Sequence, residues 1–201
     1  MKQSVYICGD SFCVSDADYP EITPWHELIP NSRTLAVNCA SNLLIGQQVD
    51  QAIKDKAEFI IISFTSSLRS EIMWDGKVTP FSWLSLDDTT PFDHETLDAL
   101  RKVLTHIDLS TEIKRSERII ESTLSRLVDS RIPFCFDQGG FEHPSYGGVG
   151  TYFIKYDQYR SKYCLWDYAP RGYHRPYFHI EDQSIHDEIA EYYTKKLLSN
   201  Q

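Results

Sequence analysis

The first candidate for chemistry is Ser11, which follows Gly9 and Asp10 directly after a short apolar segment, residues 4–8. The β-branched and aromatic residues of that segment predict a strand, and Gly9 permits a tight turn at its end. A serine on such a turn faces the edge of a sheet, where its hydroxyl can attack a carbonyl carbon once a base accepts its proton. Ser11 is therefore predicted to be a nucleophile, with the alternative that it only caps a helix. Cys13 is a second conceivable nucleophile, although no motif flanks it.

The elements that would position this serine alternate between strands and helices. Strands are predicted at 4–8, 33–38, 57–64 and 133–137, and helices at 42–54, 96–106, 113–128 and 182–198. The remaining long segments are predicted as a loop at 65–92 and an irregular, aromatic-rich insert at 138–178 before the last helix. This order predicts a single α/β domain over residues 1–201, with three layers (α/β/α) around a central parallel sheet of four to five strands. The loops that follow the strands would then meet at one edge of the sheet.

Gly9-Asp10-Ser11 at the end of the first strand matches the first sequence block of the SGNH/GDSL hydrolases. The chain resembles that superfamily, and in particular its small phage-encoded branch, through four blocks in order at 9–11, 38–45, 64–71 and 179–190. The resemblance implies the flavodoxin-like SGNH hydrolase fold. It also implies that Ser11 is the nucleophile, that its backbone N–H is one donor of the oxyanion hole, and that Asp10 supports the turn.

The second block departs from the family pattern. It normally holds a glycine whose N–H completes the oxyanion hole, whereas residues 38–45 read NCASNLLI. Cys39 and Ala40 stand nearest to that position, and a backbone donor needs no particular side chain. The resemblance therefore implies Ala40 as the second oxyanion donor and Asn42 as a substrate-binding residue.

The third block departs as well, because residues 64–71 read FTSSLRSE and lack the asparagine that the family places there. Thr65, Ser66 or Ser67 is predicted to offer a donor in its place. Two interpretations of Arg69 remain open: it binds an anionic group, or it forms a salt bridge at the edge of the sheet, for which Glu71 is a candidate partner.

The last block places His179 just before the final helix, where the family has its catalytic base. The family's aspartate three residues earlier is replaced by Pro176, so the third member of a triad is not identified. His186, inside the final helix, is predicted to be structural. The acidic residues that could orient His179 are Asp157, Asp167, Glu181 and Asp182, of which Asp182 is taken as the possible acid partner.

Composition limits the classes of partner. The formal net charge of −9 argues against nucleic acid, which needs clustered lysine and arginine. No segment reads as a signal peptide or a membrane helix, so we expect no membrane partner and a cytoplasmic or virion-associated location. No cofactor or metal is expected, because the five cysteines lack ligand spacing and three of them, Cys8, Cys39 and Cys135, are predicted as buried thiols. The twelve aromatic residues of 141–178 predict either a glycan platform, a contact in a homo-oligomer, or a local core.

These observations lead to two hypotheses. The first is a serine esterase or deacetylase that acts on an acylated carbohydrate or another small ester. The second is a catalytically inactive binding or structural module on the same fold, for example a phage virion component, which the missing glycine, asparagine and aspartate motivate. A flavodoxin-like nucleotide binder is disfavoured because no phosphate-binding loop follows a strand.

Overall fold

A parallel sheet of four strands lies at the centre of the protein. The computed structural model describes residues 4–16, 19–83, 86, 91–137, 151–162, 165 and 180–199. The strands in chain order are β1 (Val5–Cys8), β2 (Ser32–Thr34), β3 (Phe59–Ser63), β4 (Arg69–Trp74), β5 (Lys77–Ser82) and β6 (Phe134–Asp137). The parallel sheet has the order β2-β1-β3-β6, and β4 and β5 form a separate antiparallel pair. A parallel bridge between Phe136 and Arg160 continues the pairing beyond β6.

Five α-helices connect or cover these strands in the described part of the chain. They are α1 (Trp25–Leu28), α2 (Asn42–Lys54), α3 (His94–Leu104), α4 (Leu109–Ser130) and α5 (Gln183–Ser199), with 3-10 segments at Ser11–Cys13 and Thr151–Tyr159. Helix α2 has the predicted bounds, because the Ser41 hydroxyl accepts a hydrogen bond from the Leu44 N–H at 3.3 Å and so caps its first turn. None of these helices is long and apolar enough to cross a membrane.

Helices cover both faces of the parallel sheet. Tyr6 and Cys8 of β1 pack into a cluster with apolar residues of α2 and α4. Val5 and Ile7, which point to the opposite face because side chains alternate along a strand, pack with residues of α1 and α5. The structure is therefore an α/β fold with a four-stranded parallel sheet, and its layering is compatible with a three-layer arrangement.

The prediction of a loop over residues 65–92 is wrong for half of that segment. Strands β4 and β5 pair there as a hairpin, from Arg69 opposite Ser82 to Trp74 opposite Lys77. The turn is Asp75-Gly76, with φ of 47° and 71°, and an Asp-Gly pair favours a two-residue turn with both φ angles positive. A small core holds the hairpin against α3, and it consists of Leu68, Phe81, Trp83, Phe92, Leu97 and Leu100.

The second predicted strand, 33–38, is shorter in the structure. Only Ser32–Thr34 pairs in ladder with β1. The chain then stays close to β1 through two isolated backbone hydrogen bonds, from the Leu35 N–H to the Ile7 oxygen (2.8 Å) and from the Val37 N–H to the Gly9 oxygen (3.3 Å). This path carries the loop after β2 to the same edge of the sheet as the loop after β1.

Candidate functional site

The candidate site lies at the point where the strand order reverses. The chain leaves β1 through α1 on one face and leaves β2 through α2 on the other face. Connections that diverge to opposite faces leave a crevice at the carboxyl ends of the two central strands. The loop after β1 carries Asp10 and Ser11, and the loop after β3 carries Thr65. The Thr65 hydroxyl donates to Asp10 Oδ2 at 2.7 Å, so the two loops meet there.

Asp10 is the charged centre of this crevice and is fully buried. Its carboxylate accepts hydrogen bonds from the Phe12 N–H (3.1 Å) and from Arg69 Nη1 (3.0 Å) in addition to Thr65. The Arg69 side chain is 14% exposed, so the ion pair is largely withdrawn from water. Asp10, not Ser11, therefore caps the 3-10 segment that starts at Ser11, and the alternative of Ser11 as the cap is wrong.

Ser11 is left free by this arrangement. It is half-buried, and neither its hydroxyl nor its N–H bonds to any residue that the structure describes. It lines a small cavity together with Tyr19, Ile22 and His186. The side chain is thus held on a turn with a fixed backbone while its polar groups stay available to a ligand.

The backbone before Ser11 is held by a residue that sequence analysis missed. Gln48 of α2 accepts from the Gly9 N–H (2.7 Å) and donates to the Gly9 oxygen (3.2 Å). A side chain at Gly9 would place its Cβ 2.6 Å from Cys13 Sγ, so only glycine fits. The available signal was a glutamine on the apolar face of an amphipathic helix, a position that demands buried hydrogen-bond partners.

In the second sequence block, residues 38–45, one residue has a backbone conformation that favours glycine. Cys39 has a φ of 59°, in the left-handed region that favours glycine, and it is exposed, which corrects the prediction that it is a buried thiol. Ala40 is fully buried and its N–H donates to the Val37 oxygen at 3.1 Å, so the predicted donor is already occupied. In the described part of the chain the Cys39 N–H has no such partner, and the N–H groups of Asn38 and Ser41 in the same loop have none either.

Asn42 and Thr65 are occupied in the same way. Asn42 donates to the Thr65 oxygen and accepts from the Thr65 N–H, both at 2.9 Å, and also donates to the Ser116 hydroxyl at 2.8 Å. Thr65 is fully buried and its hydroxyl is bonded to Asp10. Both residues therefore position the loop after β3 between α2 and α4. The prediction that they contact a substrate is not supported, because their polar groups are already bonded within the protein.

Two other residues of the third sequence block, Ser66 and Arg69, have different roles: one stabilises a turn and the other forms an ion pair. Ser66 is buried and its hydroxyl accepts from the Leu68 N–H at 3.2 Å, which stabilises the turn before β4. Arg69 forms a salt bridge at the edge of the sheet, as one of the two interpretations expected, but its partner is Asp10 and not Glu71. Glu71, its predicted partner, has a buried Oε2 with no hydrogen-bond partner among the residues that the structure describes.

The predicted base, His179, lies outside the described residues, as do Pro176 and Asp167, so its role stays a prediction. The predicted acid partner, Asp182, is exposed and caps α5 by accepting from the Ser184 N–H (2.9 Å) and hydroxyl (2.7 Å), which lowers the pKa of its carboxyl. The other described acids are also engaged: Glu181 accepts from the Tyr19 hydroxyl at 2.7 Å, and Asp157 pairs with Arg160 at 3.2 Å.

His186 cannot serve as the base in this geometry. Its Nδ1 accepts from the Trp25 N–H at 3.1 Å, which leaves the proton on Nε2 to donate to the Ile180 oxygen at 3.1 Å. Burial lowers its pKa, so the neutral ring is favoured. The structure agrees with the structural role that was predicted for it.

A second buried polar cluster lies behind the site. Asp137, at the end of β6, accepts from the Ser63 hydroxyl (2.8 Å) and the Tyr193 hydroxyl (3.2 Å). Burial, with the charges of Asp10 and Asp137 nearby, raises the pKa of the Cys13 thiol well above its usual range. Cys13 is also fully buried, so a substrate cannot reach it, which contradicts the alternative of Cys13 as nucleophile.

Two other described thiols, Cys8 and Cys135, are buried like Cys13. Burial also raises the pKa of Cys8, and it raises that of Cys135 to about 12. Among the residues that the structure describes, no group of three or more histidine, cysteine or acidic side chains could hold a metal ion. The candidate chemistry is therefore that of Ser11.

Comparison with known proteins does not extend this picture. No family model matches the chain, and no curated protein matches it.

Proposed function

We propose that this protein is a serine ester hydrolase of the SGNH/GDSL type, an esterase or deacetylase whose nucleophile is Ser11. The observation that carries the proposal is the free Ser11 hydroxyl at the carboxyl end of β1, on a turn held by the buried Asp10–Arg69 pair. A nucleophile must be held in position and yet keep its own oxygen unbonded to the scaffold, and Ser11 meets both requirements.

In the proposed reaction the Ser11 oxygen attacks the carbonyl carbon of the ester, and His179 accepts the serine proton. The bond from that carbon to the alcohol oxygen then breaks, and His179 returns the proton to the leaving alcohol. Water attacks the acyl-enzyme, with His179 again accepting a proton, and the acid leaves as the proton returns to Ser11. No cofactor is consumed.

The oxyanion formed in both steps needs backbone donors. The Ser11 N–H and the Cys39 N–H are free in the described part of the chain, and they come from the loops after β1 and β2. We assign the second donor to Cys39 in place of Ala40. A donor of this kind contributes roughly 10²–10³ in rate.

The test is covalent labelling by a fluorophosphonate, which reacts only with an activated serine. We expect one adduct, mapped by mass spectrometry to Ser11, that disappears in Ser11→Ala and in His179→Ala. Ser125→Ala removes an exposed serine on α4 and is the matched control. A folded protein that is not labelled, or a label that survives Ser11→Ala, would contradict the proposal.

One observation favours the second candidate, a binding or structural module without catalysis. The polar groups of Ala40, Asn42 and Thr65 are all hydrogen-bonded inside the protein. This is expected of a protein that retains the fold without the catalytic activity. This candidate predicts no labelling of Ser11, together with a stable oligomer or glycan complex that forms through the aromatic-rich segment 138–178.

A further inference from the structure

An open groove runs between α2 and α4, on the outside of the parallel sheet. Its volume is ≈ 850 Å³. The two helices approach closely at Gly46, where a Cβ would lie 3.0 Å from the Thr123 hydroxyl oxygen. Leu43 and Ile119 supply its apolar surface. A groove of this size accommodates a ligand of several sugar or amino-acid units.

The groove is basic, although the protein as a whole carries a net charge of −9. Four cations of α4 line it: Lys114, Arg115, Arg118 and Arg126. The single acid in the lining, Asp50, is already paired with Arg126 at 2.8 Å, and Arg115 is paired with Glu112 at 3.5 Å. Arg118 forms no ion pair with any described residue. Clustered cations on an acidic protein attract anionic ligands to that one place.

A narrower cleft continues from the groove toward the candidate site. The two share Leu43, Arg115 and Ile119, and the cleft reaches Arg69, the partner of Asp10. Ser67 and Glu71 line it, and the Ser67 hydroxyl and Glu71 Oε2 are buried without a hydrogen-bond partner among the described residues.

Buried polar atoms are nearly always bonded in native proteins, and the volume of the cleft, ≈ 20 Å³, has room for one small partner such as a water or a hydroxyl group. The carboxylate oxygen of Glu71 can only accept, and the hydroxyl of Ser67 can accept or donate. Together they suit the hydroxyl group of a ligand.

We propose that the groove and cleft bind an acidic oligosaccharide, with its carboxylate or sulfate groups on Lys114 and Arg118 and a sugar hydroxyl at Ser67 and Glu71. The cleft reaches Arg69, the ion-pair partner of Asp10, and Asp10 precedes Ser11 in the chain. The inference therefore names the substrate class, an acylated acidic glycan, and in that respect it rests on the proposed function. The lining has no aromatic residue on which bases or sugar rings could stack, so recognition in this groove relies on charge and hydroxyl groups.

The experiment measures binding alone, by calorimetric titration of the full chain carrying Ser11→Ala, so that no ester is hydrolysed. The ligands are an oligogalacturonate, which carries carboxylates, and a heparin-derived hexasaccharide, which carries sulfates. A neutral maltohexaose and an oligothymidylate of equal length are the comparison ligands. Lys114→Gln/Arg118→Gln removes two groove cations, and Lys77→Gln/Lys102→Gln removes two exposed cations elsewhere for the same change in net charge.

We expect at least one acidic glycan to bind, and the groove variant to weaken that binding about tenfold or more while the control variant changes it less than about twofold. Ser67→Ala should weaken binding without changing its salt dependence, because it removes a hydroxyl and no charge. Binding of the oligogalacturonate would indicate recognition of carboxylates, and binding of the heparin hexasaccharide would indicate recognition of sulfates. Equal binding by the two charge variants, tighter binding of oligothymidylate, or no binding of either glycan would overturn the inference. Glycan binding to a protein whose Ser11 is not labelled would retain the groove and refute only the hydrolase.

Discussion

The ion pair between Asp10 and Arg69 gives the most decisive test of how the site is held together. Asp10 is fully buried and its carboxylate lies 3.0 Å from Arg69 Nη1, so the substitution Arg69→Met leaves a buried charge without its cation. Breaking one side of a buried pair typically destabilises by about 3–5 kcal/mol. Asp10 would keep its bonds from Thr65 and Phe12, so we expect the lower end, about 3 kcal/mol.

The reverse substitution is milder. Asp10→Asn leaves the cation, which reaches water through the 14% of its side chain that is exposed, and we expect it to destabilise by about 1.5 kcal/mol. With both changes made, no charge is left unpaired, so the double variant should lose about 2.5 kcal/mol instead of the summed 4.5, a coupling of about 2 kcal/mol.

Urea unfolding followed by tryptophan fluorescence measures all three variants. Arg115→Met is the matched control, because its pair with Glu112 is long (3.5 Å) and its side chain is 56% exposed, and it should change the unfolding free energy by less than about 1 kcal/mol. Additive effects of Asp10→Asn and Arg69→Met would refute the reasoning, since they would mean that the two side chains do not depend on each other.

Three further predictions follow from the loops around Ser11 and from α5. Gln48→Leu removes both hydrogen bonds to the Gly9 backbone and should destabilise the protein by about 2–3 kcal/mol in the same assay. It should also slow the fluorophosphonate labelling of Ser11. Unchanged labelling would mean that these hydrogen bonds do not affect the reactivity of Ser11. Cys39→Gly relieves a left-handed φ of 59°, while glycine also raises the entropy of the unfolded chain. The net effect should be a stabilisation of up to about 1 kcal/mol, and a loss of stability would contradict this. Burial lowers the pKa of His186, so its stabilising contribution is complete above its unfolded pKa of 6.5 and is lost as the pH falls through the folded value. The slope of unfolding free energy against pH below 6.5 should therefore decrease in His186→Gln and not in the exposed control His106→Gln.

The elements that periodicity and caps define were predictable from the sequence. Helix α2 has its predicted bounds because a serine cap and a regular apolar face both specify them locally. Strand β3 was evident as a continuous apolar run. The hairpin of β4 and β5 was missed because Pro80 and the polar residues around it suggested a loop, while the Asp75-Gly76 turn, the stronger local signal, was not weighed.

The placement of Ser11 at the edge of the sheet was also predictable, since it needs only the end of β1. The partners around it were not. Arg69 joins Asp10 across 59 positions and Gln48 joins Gly9 across 39, and no local pattern specifies which buried charge or amide will meet which side chain. Packing selects such pairs, so they come only from the three-dimensional structure.

The two side chains of α2 that reach into the site have a dynamic consequence. Gln48 holds the Gly9 amide and Asn42 holds the Thr65 amide, so one helix secures the loops after two different strands. Both amides are sheltered from hydrogen exchange until α2 separates from the sheet. They should then exchange with the same opening free energy, close to that of global unfolding, so that the site forms one cooperative unit with the helix.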